Sequence, residues 1–169
     1  MDQPRTPREV FLALVNGVAD GRYDELPDLY AEQTDVRHPF DPMRTPALRS
    51  REELRAAFGR RAGSADAGSR PRRRVGNVII HETTDPEVIV AEFEYQGTDA
   101  RTGQEYALPA IFVMRVRDGE IVSSRDYHDV IASARARGQL GALFAAIGGE
   151  NGEDGGVGGT GEASGPSGA

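Results

Sequence analysis

The chain has 169 residues, enough for one domain with a real core, and a formal net charge of −7. It contains no cysteine, and all 20 of its basic residues are arginine. Disulfides, thiol nucleophiles, thiolate metal sites and lysine Schiff bases are thereby excluded. The one basic run, Arg70 to Arg74, is short, is split by Pro71 and lacks interleaved aromatics. It reads as a solvated strand entrance and argues against nucleic-acid binding. The opening MDQPRTPREV has no apolar leader core, and no stretch approaches 18 apolar residues. No membrane segment is expected, and a cytoplasmic location is.

Thr6-Pro7-Arg8-Glu9 is a helix start, with Thr6 as cap, Pro7 in the first turn and Glu9 completing a capping box. Val10, Phe11, Leu14, Val15 and Val18 then repeat at helical spacing, and Asp20-Gly21 marks the stop. A short second helix is predicted over DELPDLYA from Asp24, with Leu26, Leu29 and Tyr30 facing in. TDVRHPF follows as a brief extended piece ended by prolines 39, 42 and 46. Ser50-Arg51-Glu52-Glu53 opens a third helix through Leu54, Ala57 and Phe58.

From residue 75 the hydrophobic period changes from 3.6 to 2. VGNVIIHE, EVIVAEFEYQG, EYALPAIFVMRVR and EIVSSRDYHDV read as four long strands. Asp85-Pro86 turns the first pair, a looser loop over 97–103 the second, and Asp118-Gly119 is a two-residue hairpin signal. Residues 131–147 add a terminal helix interrupted by Gly138 and Gly141. Residues 148–169, with ten glycines, four acids and no base, cannot bury enough apolar surface to order themselves and are expected to be a disordered tail. The expected fold class is α+β: a curved antiparallel sheet wrapped around N-terminal helices, forming a cone-shaped pocket over residues 1–138. Residues 139–147 are the terminal helix outside that cone.

On the last strand Val122, Ser124, Asp126 and His128 share one face, while Ile121, Ser123, Arg125 and Tyr127 share the other. The preceding strand carries Tyr106, Leu108, Ala110, Phe112, Met114 and Val116 on its even face and Arg115 and Arg117 on its odd one. The even face is the better core candidate. If it runs on through the hairpin, Asp126 and His128 point into the cone, where desolvation pushes both toward their neutral forms and suits them to acid–base work. The alternative is a surface ion-pair cluster of Arg125, Asp126 and Asp129. The three histidines are scattered, with no HxxxH or HxH spacing, so no metal site is expected.

The segments LALVN, LYAEQTDVRHPF, SREELRAAF and GEIVSSRDYHD, in this order, resemble the nuclear transport factor 2-like superfamily, which includes ketosteroid isomerases, SnoaL-like polyketide cyclases and limonene-epoxide hydrolases. In ketosteroid isomerases the segment matching YAEQTDVRHPF carries an aspartate base before proline, so the resemblance assigns His38 as the base. It also assigns Tyr30 to that family's hydrogen-bond network, but puts Phe11, Phe112 and Phe58 where the family has its oxyanion and supporting donors. In the epoxide hydrolases the first aspartate of the closing strand aligns with Asp126, whereas the family's remaining Arg and Asp fall on Phe93 and Tyr95. SnoaL-like cyclases rely on a strand-borne aspartate and an enolisable substrate, a pattern that Asp126 with His38 and His128 suits. The resemblance implies a cofactor-independent isomerase, cyclase or dehydratase acting on a small hydrophobic carbonyl compound such as a polyketide. Its pocket walls would be Phe11, Tyr30, Phe58, Phe93, Tyr95, Phe112 and Met114. Epoxide hydrolysis and plain ligand binding are the alternatives. The family's habit of dimerising through the outer sheet face implies a homodimer, with Ile111, Val113 and Ile121 as the apolar patch.

Overall fold

The computed structural model describes residues 3–63, 73–99 and 102–149. Helix α1 (Pro7–Asp20) is set by its cap: Thr6 accepts from the Glu9 amide, and the Glu9 carboxylate accepts the Thr6 amide at 2.8 Å. Gly21, in the left-handed region at φ 76°, ends it. One 3₁₀ turn (Leu26–Leu29) leads directly into strand β1 (Tyr30–Arg37). The expected second helix is thus a single turn, and Tyr30 begins a strand instead of closing a helix. A short β2 (Leu48–Ser50) precedes α2 (Arg51–Ala62), where Ser50 accepts from the Glu53 amide. The four long strands follow as β3 (Arg74–Glu82), β4 (Val88–Thr98), β5 (Glu105–Arg117) and β6 (Glu120–His128). The chain then turns into α3 (Val130–Ala136) and α4 (Leu140–Gly149), separated near Gly138 at φ 67°. The tail expected over 148–169 lies outside the described residues from 150 onward.

The strands form one sheet in the order β2-β1-β6-β5-β4-β3. The β3–β6 portion is the expected antiparallel meander. Strands β1 and β2 extend it, and β1 runs parallel to β6. The sheet curves around α1 and α2. Its concave face gives the core Ile89, Ala91, Phe93 and Tyr95 from β4 and Ala110, Phe112, Met114 and Val116 from β5, packed on Val10, Phe11, Leu14 and Val15 of α1. Phe11, Phe93 and Phe112 meet edge to face with centroids 5.0 to 6.2 Å apart. Burying each such ring stabilises the fold by roughly 2–3 kcal/mol.

Asp118 (φ 52°) and Gly119 (φ 82°) form the tight β5–β6 turn, both left-handed as a type I′ hairpin requires. The hairpin then departs from simple alternation. Arg115 pairs with Ser123 but Val116 pairs with Ile121, so Val122 is an extra residue in β6. Ile121 therefore turns into the core at 0% exposure instead of joining an outer apolar patch. Beyond this bulge the register recovers, and Ser124 and Asp126 lie inside as alternation requires.

Candidate active site

Two strands and one turn build the site. Phe112 of β5 stands opposite Asp126 of β6, and Ala110 opposite His128, so both titratable groups sit on the concave face. On the other side of β6, Val36 of β1 aligns with Ser124 and Arg37 with Arg125. One further step along this parallel register brings His38 beside Asp126. Pro39 keeps the His38 backbone extended. The following turn is held by the Asp41 amide donating to the His38 carbonyl at 3.0 Å. The Asp41 carboxylate fixes it further, accepting from the Met43 and Thr45 amides at 3.0 and 3.1 Å.

The result is a cluster of three. His38 Nε2 lies 4.0 Å from an Asp126 carboxylate oxygen. The two imidazoles stack with centroids 6.0 Å apart, and Phe112 closes on the other side of His128 edge to face at 5.2 Å. Asp126 is buried and accepts a short hydrogen bond from the Ser124 hydroxyl. His38 straddles the mouth, with 39% of its side chain open and its Nε2 turned inward.

Burial raises the Asp126 carboxyl to about 7, against the opposing pull of the Ser124 hydroxyl. Burial, then the charges of His38, Arg61 and Arg73, lower His128 to about 4. His38 is lowered too, by burial and Arg61, with Asp41 opposing. His38 and Asp126 thus stand at ion-pair distance while both are driven toward neutrality. Burial disfavours the ion pair that their separation would otherwise favour. Each of the three groups also offers one ligand atom, all within 4.8 Å of one another. The fold therefore gathers residues whose sequence spacing showed no metal pattern, although tetrahedral bonds of about 2.1 Å need ligand atoms nearer 3.4 Å apart.

A cavity of about 290 Å³ opens onto all three groups, walled by Phe40, Leu48, Ala57, Val130 and Arg60. A larger one, about 710 Å³, lies between α4 and the outer sheet face and reaches the cluster only through His128. The smaller is the candidate site because it brings His38, Asp126 and His128 together. Of the expected wall residues, Phe93 lines the larger cavity. Phe11 and Met114, at 0% exposure, and Phe112 are packed in the core behind the site. Tyr30 packs on the half-buried Phe58 with centroids 6.2 Å apart, and Tyr95 on Phe93 at 5.1 Å. None of these seven except Phe93 lines either cavity. Tyr30 and Tyr95 are both raised, chiefly by burial, so their phenols stay protonated. His81 stands apart on the outer face, 2.8 Å from Glu92. Arg73, from the basic run, covers the Tyr95 ring at 4.4 Å and donates to the Val18 carbonyl at 3.2 Å.

Comparison with known proteins agrees with this architecture. A model of the SnoaL-like domain matches residues 11–124. An uncharacterized PhzA/B-like protein of Pseudomonas aeruginosa is 34% identical over 65 residues, a span covering 38% of this chain and 46% of that protein. The match thus spans under half the length of that relative. A provisionally assigned isomerase from Bacillus subtilis superposes with a TM-score of 0.67 at 19% identity, covering 82% of this chain and 97% of that one. A provisionally assigned polyketide cyclase from Pseudomonas putida gives 0.57 at 18% identity, covering 78% and 98%. At these identities the two structures share the fold with this chain.

Proposed function

The chain belongs to the SnoaL-like domain family, and on that footing we propose that it is a cofactor-independent acid–base enzyme, an isomerase, cyclase or dehydratase, acting on a hydrophobic carbonyl compound such as a polyketide. The observation that carries this reading is the approach of His38 Nε2 to the Asp126 carboxyl at 4.0 Å in a pocket whose burial pushes both toward their neutral forms. Neutral His38 removes a proton alpha to the carbonyl. The enolate rearranges or attacks a second carbonyl, and protonated Asp126 delivers its proton to the carbon or alkoxide so formed. The histidinium then returns its proton to the carboxylate across the same gap. Protons balance, and the cycle closes without a cofactor. His128, neutral at working pH, orients the substrate through its ring and nitrogen.

The test is proton exchange in deuterated water with cyclic ketones and β-keto esters. Wild-type protein is expected to exchange the alpha position, and His38→Ala or Asp126→Asn to lose about 10²–10⁴ of that rate. Wild-type rates in both variants would remove the proposal, and absence of exchange in the wild type would leave a ligand-binding protein. Epoxide hydrolysis is less well supported. Glu92 and Glu94 of β4 face away from the site, pairing with His81 and with Asn77 and Gln96 respectively, each at 2.8 Å. Neither gives Asp126 the second carboxylate that this chemistry needs. We further infer a homodimer through the outer face, where Ile111 is 42% and Ile79 54% exposed.

A further inference from the structure

The acid–base groups share their cavity with a cation that neither the fold nor the proposed proton transfers use. Arg60, in the last turn of α2, lines the 290 Å³ pocket beside His38, Asp126 and His128. Other α2 arginines are engaged: Arg51 donates to the Tyr30 carbonyl at 2.7 Å and pairs with Glu120 and Glu32 at 2.6 and 2.9 Å, and Arg55 pairs with Asp28 at 3.5 Å. Arg60 makes no ion pair or hydrogen bond among the described residues. Asp41, the pocket's ionised carboxylate, makes no ion pair with it. Asp41 is committed to the Met43 and Thr45 amides, and Asp126 is held toward its protonated form. Arg61, the next residue of α2, is the arginine whose positive charge is felt at Tyr30, His38, Tyr95 and His128. In a protein of net charge −7, this hollow carries the Arg60 guanidinium alongside a single ionised carboxylate, Asp41.

We propose that the pocket takes an anionic substrate, a carboxylate-bearing carbonyl compound whose carboxylate is received by Arg60 while its enolisable carbon faces His38 and Asp126. The proposal rests on the acid–base reading of the site and supplies its substrate class. A guanidinium fork matches a planar carboxylate with two parallel hydrogen bonds. Phe40, Leu48, Ala57 and Val130 give the rest of the molecule an apolar seat. A neutral Asp126 is also what an incoming anion requires, since an ionised one would repel it. Anchoring one end of the substrate fixes which carbon meets the base, and that positioning lowers the barrier.

Benzoate and its neutral isostere benzamide are the probes, titrated into the full-length protein while the ring signals of His38 and His128 are followed by NMR. Benzoate is expected to move both sets of signals and to bind on the order of tenfold more tightly than benzamide. Arg60→Gln should abolish that preference, and Arg60→Lys should keep part of it. Equal affinities in the wild type, an unchanged preference in Arg60→Gln, or no benzoate binding would each overturn the proposal. Binding is read without turnover, so the two ideas fail separately. Asp126→Asn should still prefer benzoate even where exchange is lost, and a preference that persists while Asp126→Asn exchanges normally would sink only the catalytic reading.

Discussion

Asp126 is a carboxyl group that folding makes harder to ionise, and this has a cost with a definite sign. Its folded value of about 7 lies above the roughly 3.9 of an unfolded chain, so the native state binds the proton more tightly. The stabilising proton is fully present below pH 4 and is lost as pH rises through 7, a penalty on the order of 4 kcal/mol. Asp126→Asn should therefore gain clearly more stability over wild type at pH 8 than at pH 5. Urea denaturation at the two pH values checks this, and an equal difference at both would contradict it. His128 works in the opposite direction. Its value falls from about 6.5 unfolded to about 4 folded, so stability is present above pH 6.5 and lost as pH falls toward 4. Activity should follow a bell, with the alkaline limb near 7 from Asp126 and the acid limb set by the lowered His38. An alkaline limb that stays in place in Asp126→Asn would assign it to another group.

The element that makes the site is the parallel contact of β1 with β6, which carries His38 to Asp126 across 88 residues of sequence. Thr34 pins it, donating from its buried hydroxyl to the Ile121 carbonyl at 3.0 Å. Thr34→Val should cost about 1 kcal/mol of stability and lower kcat more than it changes KM, because the base would no longer be held against the acid. An unchanged kcat would show that this bond does not set the register. Alternation within β5 and β6 was enough to place Asp126 and His128 on the concave face, since that rule is local. The β1–β6 pairing was not legible as a contact, because nothing local in YAEQTDVR says which distant strand it joins. Ile121 went to the wrong face for a related reason: a one-residue bulge leaves no mark in the hydrophobic pattern. Arg60 escaped attention because a helix-end arginine looks like a solvated charge offsetting the dipole. Its spacing of three from Ala57, which puts the two on one side of α2, was the available signal.

Across the whole molecule the two faces of one sheet differ in what they bury. The concave face holds the core and the pocket of His38, Asp126 and His128. The convex face exposes Ile79 and Ile111, and α4 beside it, with no buried residue, leaves Phe144 55% exposed. A second copy seated there would cover these side chains, so Ile111→Asp should convert a dimer into a monomer in light scattering while leaving the His38 and His128 ring signals in place. A monomeric wild-type protein would refute that assembly. The claim joining all three scales is that folding draws a mouth histidine and a buried aspartic acid together where neither prefers its charge. Titrating the ¹³C carboxyl signal of Asp126 tests it most directly. A midpoint near 7 is expected, and a midpoint near 4, as for a carboxylate in water, would contradict the burial of this carboxyl.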